Sequence, residues 1–275
     1  MAPRVLKSCF GRRPSDVDKK PTAADATAPA PEHRRKLGPV VVELFSSQGC
    51  ATSPEAEVLF SRLGRGDFAA QLAAAPLILL SFHVDYWDYA GWKDPFAAAQ
   101  WTVRQKAYVE ALNLDTMFTP QIVVQGRAHC VADDPDAVLS AIAAAPRHPA
   151  PSLQAAFRRP GPKSLRVALK GSARPDPGYV ILVALYECGL VTDCGGGANK
   201  GKVLANDYVV RRLEKLSPAP AGKKGISGTV EFGLWEGFNP AKCGMAVFVE
   251  NSSRQIFGSQ NFRLPDEILS ESIVD

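Results

Sequence analysis

Val40-Val-Val-Glu43-Leu-Phe45-Ser-Ser-Gln-Gly-Cys50-Ala-Thr-Ser53-Pro54 sets the reading of the whole chain. Residues 40–45 form an apolar, β-branched run of the kind that makes a strand buried on both faces. From Ser53 the pattern turns helical: Ala56, Leu59, Phe60 and Leu63 recur at helix spacing. Pro54 falls in that helix's first turn, where a missing N–H costs little. Cys50 stands at the switch. Unpaired backbone N–H groups and the helix dipole favour a thiolate at such a point. Its partner three residues on is Ser53, so the motif is C-x-x-S, a one-thiol version of a redox site.

Outward from this stretch, Pro76–Val84 reads as a second buried strand and Pro95–Leu112 as a helix. Gln121–Val124, a turn at Gln125-Gly126, and Arg127–Ala132 read as a hairpin. Asp133-Asp134-Pro135 opens a last helix to about Ala144. The order β-α-β-α-β-β-α predicts one three-layer α/β unit over 39–147, with reactive groups at the carboxyl ends of its parallel strands. Past the Pro- and Ala-rich junction at 146–151, short alternating strands separated by Gly and Pro predict an antiparallel, sandwich-like β-rich domain over 152–264. Residues 265–275 read as a C-terminal tail.

Residues 1–38 are rich in Ala, Pro, Lys and Arg and read as a disordered basic tail. Nine Lys and Arg against four Asp and Glu give this tail a net +5, so the whole chain's +4 leaves the body at −1. The basic balance thus belongs to the tail and argues against a nucleic-acid-binding face. No apolar run reaches the roughly 18 residues that span a bilayer, and the tail lacks a secretory apolar segment. The expected compartment is cytoplasmic, with plastid or mitochondrial import through the basic tail as the alternative. The six cysteines among 275 residues match neither a secreted disulfide framework nor zinc spacing, so no metal is expected.

With these residues in place, the chain resembles the thioredoxin-like domain-of-unknown-function 1223 family, in its plant-type branch and as a C-x-x-S variant. The resemblance is carried by VVELFSSQGC, SFHVDYWDYAGWKDPFA, RQKAY, MFTPQIVVQGRAH, ANKGKVLANDYVVRRL and AVFVENSSRQIFGSQNF. It implies a thioredoxin-like fold followed by a β-rich part, and no assigned reaction. It further implies a cis proline at Thr119-Pro120, set opposite Cys50 and offering backbone hydrogen bonds to a bound peptide or glutathione. The family's usual C-x-x-C-P becomes Cys50-Ala-Thr-Ser53-Pro54, which removes the resolving thiol.

The expected catalytic residues are Cys50 as nucleophile and Ser53 as a hydroxyl bonding the thiolate. Thr119 and Pro120 are the expected backbone clamp. Asp85, Tyr86, Trp87, Asp88 and Trp92 form the expected binding wall, through stacking, polar contacts or proton transfer; equally, the tryptophans could pack a helix onto the sheet. The chemistry is monothiol exchange with a disulfide, glutathione serving as co-substrate and no resident cofactor. The alternative is a non-catalytic scaffold whose same cleft binds a peptide or partner protein. Cys188 and Cys194 flank a Gly-rich turn and could approach one another, while Gly195–Gly201 reads as a flexible loop rather than a phosphate cradle.

Overall fold

The buried run that begins at Val40 becomes an interior strand of a large sheet in the computed structural model, which describes residues 37–172, 178–218 and 225–268. Residues 1–36 of the expected disordered tail, Cys9 among them, and part of the C-terminal tail lie outside the described residues, while Leu37 and Gly38, also assigned to that tail, are paired: Leu37 bridges Pro149 and Gly38 N–H donates to His148 O at 2.7 Å. In chain order the first elements are β1 (Val40–Ser46), α1 (Ser53–Arg65), β2 (Leu77–His83), α2 (Ala99–Ala111), β3 (Gln121–Val124), β4 (Ala128–Val131) and α3 (Pro135–Ala143). This is the order expected from sequence. β5 (Ser152–Gly161), β6 (Ser164–Ser172), β7 (Val180–Glu187), β8 (Leu190–Asp193), β9 (Val203–Asn206) and β10 (Val209–Lys215) follow. The chain continues through β11 (Ser217–Pro218), β12 (Ile226–Gly233), β13 (Cys243–Glu250) and β14 (Ile256–Arg263). No helix among the described residues is long and apolar enough to cross a membrane.

Eight strands form one mixed sheet in the order β14-β13-β7-β10-β2-β1-β3-β4. β1 and β2 are parallel from Val40↔Leu77 to Ser46↔His83, which brings Ser46 and His83 to the same sheet edge. Residues 39–147 and 152–264, expected as separate domains, therefore share a sheet: β10, β7, β13 and β14 extend the one that β1 and β2 begin. Apolar area explains the merger. β7 and β13 are buried along nearly their whole length and need cover on both faces.

That cover comes from three cores. Val40, Val42 and Leu44 face α1 and α3, with Phe60 and Ile142. Val41 and Phe45 face the opposite way, with Phe82 of β2 and with Trp101 and Tyr108 of α2. Beyond them the four-stranded sheet β11-β12-β6-β5 packs Val167, Leu169 and Phe232 onto Leu185, Met245 and Val247 of the large sheet. β12 alternates buried and exposed residues, as an antiparallel strand with one wet face should.

A charged network crosses the second core. Arg104 Nε donates to Glu43 Oε1 at 2.6 Å and Nη2 to Glu250 Oε2 at 2.8 Å. Tyr108 donates its hydroxyl to the second Glu43 oxygen. Arg254 reaches the other Glu250 oxygen at 2.8 Å from the surface. β1, α2 and β13 are thereby tied to one guanidinium.

The β3–β4 turn shows why Gln125-Gly126 is legible. Both residues have positive φ, 52° and 63°, the conformation a two-residue hairpin turn needs. A Cβ on Gly126 would also lie 1.9 Å from Arg254 O. Gly126→Ala is accordingly expected to destabilise the protein by more than about 1 kcal/mol in urea unfolding, since strain and collision add.

Candidate functional site

The site is built where β1 ends. Ser46–Cys50 leaves the sheet, Cys50 N–H closes a turn on Ser47 O at 3.1 Å, and α1 begins at Ser53 with Thr52 as its N-cap residue. Cys50 is 3% exposed. Its sulfur lies 3.6 Å from Thr119 O and 3.7 Å from Thr52 Oγ1. The Thr119-Pro120 peptide is cis, as the resemblance implied. Burial pushes the thiol up, but hydrogen bonds from Ser53, Thr119 and Thr52 outweigh it and hold Cys50 below its ordinary value. Burial instead drives Cys130 and Cys188 up to about 11 and Cys243 up to about 12. The fold thus sets Cys50 apart from Cys130, Cys188 and Cys243, lowering its thiol where theirs are raised.

Ser53 also accepts from Ser47 N–H at 3.3 Å, so its hydroxyl holds the turn as well as the sulfur. Trp87 reaches the cis-proline segment directly, donating Nε1–H to Thr119 Oγ1 at 2.7 Å. Tyr86 donates to Gln105 Oε1 at 3.2 Å, and Gln105 Nε2 in turn donates to Phe118 O at 2.7 Å. Tyr86, Trp87, Thr119 and Cys50 are therefore brought together. Burial raises the Tyr86 phenol to about 12, so it is a neutral donor at any physiological pH.

The other wall residues are placed differently. Trp92 turns to Gln48, donating to its Oε1 at 3.1 Å. Asp85 Oδ1 accepts from Thr102 Oγ1 at 2.5 Å. Asp88 Oδ1 accepts from Asp94 N–H at 3.1 Å, and its acidity is weakened by burial, then by the Asp94 and Asp85 charges. In this structure these groups shape the segment that carries the wall.

Five side chains that sequence reading did not single out, those of Gln48, Asp94, Thr192, Asn199 and Asn206, secure the cysteine turn. Gln48 N–H donates to Asp94 Oδ2 at 2.7 Å, and Gln48 Nε2 donates to Asn206 Oδ1 at 2.8 Å and Thr192 Oγ1 at 3.1 Å. Asn199, fully buried, donates Nδ2 hydrogens to Gln48 O at 2.9 Å and Cys50 O at 2.8 Å. Thr192 and Asn206 belong to the β8–β9 hairpin, and Asn199 to the turn inside it. The stretch expected as a flexible Gly-rich loop is instead a fitted cap. A Cβ on Gly196 would sit 2.2 Å from Gly91 O, and one on Gly197 3.0 Å from Trp92 Cβ. Only isolated polar residues, Gln48 and Asn199, hinted at this role from sequence.

Behind the turn lies a buried acid–imidazole–acid row. His83 Nδ1 bonds Asp94 Oδ2 at 2.6 Å, and Nε2 stands 3.3 Å from Glu57 Oε1 without hydrogen-bond alignment. Burial opposes charge on His83, but the Asp94 and Glu57 carboxylates win and raise it to about 10. His83 is an imidazolium at neutral pH, and Asp94 is held below the usual carboxylate range by it. Among the described residues no cluster could hold a metal ion. Cys50, Cys130, Cys188, Cys194 and Cys243 are all free, and Cys194 donates to Gly196 O at 3.2 Å.

Fold and site together define a mixed α/β protein with one large sheet, antiparallel β extensions and a buried cysteine in the turn that follows β1, an interior parallel strand. The chain belongs to the family described as protein of unknown function DUF1223, whose model matches residues 41–250. A crystal structure of an Agrobacterium tumefaciens protein is similar at 24% identity and TM-score 0.56, covering 84% of this chain and 97% of that one. HBP35 of Porphyromonas gingivalis is similar at 12% identity and TM-score 0.60, covering 87% of this chain and 79% of its own. At these identities both show the fold alone. No curated protein matches the chain.

Proposed function

We propose that this is a thioredoxin-like protein that uses Cys50 for monothiol disulfide exchange. The observation that carries the reading is the placement of the Cys50 sulfur, 3.6 Å from Thr119 O beside a cis proline, together with the Ser53, Thr119 and Thr52 side chains and the Thr52 backbone, which hold its thiol below the ordinary value. In the exchange the Cys50 thiolate attacks one sulfur of a disulfide R–S–S–R′. The Cys50–S–S–R bond forms as the R–S–S–R′ bond breaks, and R′–S⁻ leaves and takes a proton from solvent. An outside thiol, glutathione in this reading, then attacks the mixed disulfide and returns Cys50 as thiolate. Ser53 stabilises that thiolate without being able to displace R. Thr119 and Pro120 supply a backbone edge, and Tyr86 and Trp87 an aromatic wall.

A second reading, a binding scaffold without turnover, is favoured by the depth of Cys50 and by the absence of a thiol at position 53. Oxidised glutathione separates the two. The exchange reading expects one glutathione adduct on Cys50 by intact-mass and peptide analysis, absent from Cys50→Ser and removed by added thiol. Native protein that stays unmodified at Cys50 leaves the scaffold.

A further inference from the structure

The β8–β9 hairpin is a two-stranded sheet of its own, hydrogen-bonded through its backbone to neither of the larger sheets. Its register runs from Leu190↔Asn206 to Asp193↔Val203. Beyond that pair the turn closes on itself. Cys194 N–H donates to Lys202 O at 2.9 Å, Gly201 N–H to Cys194 O at 2.8 Å and Lys202 N–H to Asn199 O at 3.0 Å. These backbone groups are satisfied within the hairpin, so its tie to the cysteine turn is made by side chains. Gly197 and Gly201 take positive φ, 64° and 82°, and a Cβ on Gly195 would stand 3.3 Å from the Trp92 ring. The glycines thus bring the turn close enough for one side chain to reach the cysteine.

That side chain is Asn199, fully buried. Its Nδ2 donates to the carbonyls on either side of Gly49, those of Gln48 and Cys50, and its Oδ1 accepts from Lys202 Nζ at 3.0 Å. Each contact bears on the sulfur. A carbonyl oxygen is the negative end of its peptide, and a thiolate on the same residue is less disfavoured when that oxygen is hydrogen-bonded. Holding Cys50 O also fixes the peptide that leads through Ala51 to Thr52, whose backbone bonds the sulfur. A cation on Oδ1 polarises the amide and strengthens what Nδ2 donates.

We propose that Asn199 is a positioning residue for the Cys50 exchange, supported by Lys202. It offsets the negative end of the Cys50 peptide and keeps the Thr52 N–H on the sulfur, so the turn favours the thiolate. It acts through the Cys50 backbone and takes no part in the bond changes. This inference rests on the exchange reading of Cys50 and adds to it a second-half residue, 149 positions from the thiol, that sets how readily the thiol ionises.

The test is the pH dependence of Cys50 alkylation by iodoacetamide in Asn199→Ala, Lys202→Ala and Ser61→Ala, with folding of each checked by circular dichroism. Ser61→Ala is the control for a loosened hairpin. It removes the 2.7 Å bond to Asp207, whose other oxygen holds Gly189 N–H at the hairpin's base, and it lies outside the cysteine turn. Asn199→Ala should move the half-point upward and slow alkylation at pH values below it about threefold or more. Lys202→Ala should move it the same way by less, and Ser61→Ala should leave it in place. Lys202 is exposed, so its variant decides the matter if Asn199→Ala does not fold. Unshifted half-points in Asn199→Ala and Lys202→Ala, beside a lowered native one, overturn this inference and leave the exchange reading standing. An equal shift in Ser61→Ala also overturns it, because any loosening of the hairpin would then suffice. A native half-point at the ordinary value of about 8.5 removes the exchange reading and this inference together.

Discussion

Replacing Arg104 by Ala is expected to cost about 3–5 kcal/mol of stability, the loss found when one member of a buried ion pair is removed. Glu43 and Glu250 are both fully buried, and Arg104 is the group that links them. Without it, Glu43 keeps Tyr108 as a donor, while Glu250 keeps only Arg254 from the surface side. Two carboxylates then share a core with one partly exposed cation. A loss this large is a substantial fraction of the roughly 5–15 kcal/mol that stabilises a typical domain. Lys at 104 should recover little, because the two bonds leave a planar fork in different directions. Urea unfolding followed by circular dichroism measures it; a midpoint for Arg104→Ala close to that of the native chain would show that the network does not carry the load assigned to it.

The second large effect is a fall in stability on the alkaline side. His83 is raised from an unfolded value of 6.5 to about 10 in the folded protein. The folded state therefore binds a proton that the unfolded state gives up near pH 6.5. The resulting stability is fully present below that pH, declines as pH rises, and is gone once pH passes through about 10. Its size is on the order of a few kcal/mol, since each tenfold gain in proton affinity corresponds to about 1.4 kcal/mol and burial offsets part of the pairing. Unfolding free energy measured from pH 6 to 10 should fall with a slope that disappears in His83→Asn. That variant should be less stable at pH 6 and closer to the native chain at pH 10. Because Asp94 also holds Gln48 N–H, it should in addition loosen the cysteine turn and speed hydrogen exchange at Gln48.

Much of the fold is legible because local pattern and tertiary role agree. The run 40–45 has no polar face apart from Glu43, which is what a strand covered on both sides requires, and Gln125-Gly126 announces its turn by residue type alone. β5 is hard to read because its inward residues are Leu153, Ala155 and Phe157 among arginines and a proline, too small and interrupted for clear alternation. β8 and β9, four residues each, are hidden beside a Gly-rich stretch. Their pairing is justified by what they cover, the turn at Gln48, rather than by their own composition. A domain division at 147–152 does not foresee the shared sheet because strand order is a long-range property: β10 joins β2 across more than a hundred residues.

The site divides in the same way. Cys50, Thr119, Pro120 and Trp87 come together as their motifs suggest. Arg104 is one cation in a helix that has no clean apolar stripe, and nothing local reveals that it is buried among Phe82, Tyr108 and Phe248. Glu57 occupies an ordinary helical position, and only the folded chain shows it opposite His83. Asn199 is one polar residue among glycines. Its two bonds to the cysteine turn span about 150 residues, a distance no local pattern encodes.

The central claim is that the fold makes Cys50 an acidic, reactive thiol. Its most direct test is the pH dependence of Cys50 alkylation by iodoacetamide, followed at the peptide that carries it. The account predicts a half-point well below the free-cysteine value of about 8.5, moving upward in Ser53→Ala as one thiolate hydrogen bond is lost. A half-point at or above about 8.5 in the native chain would contradict it.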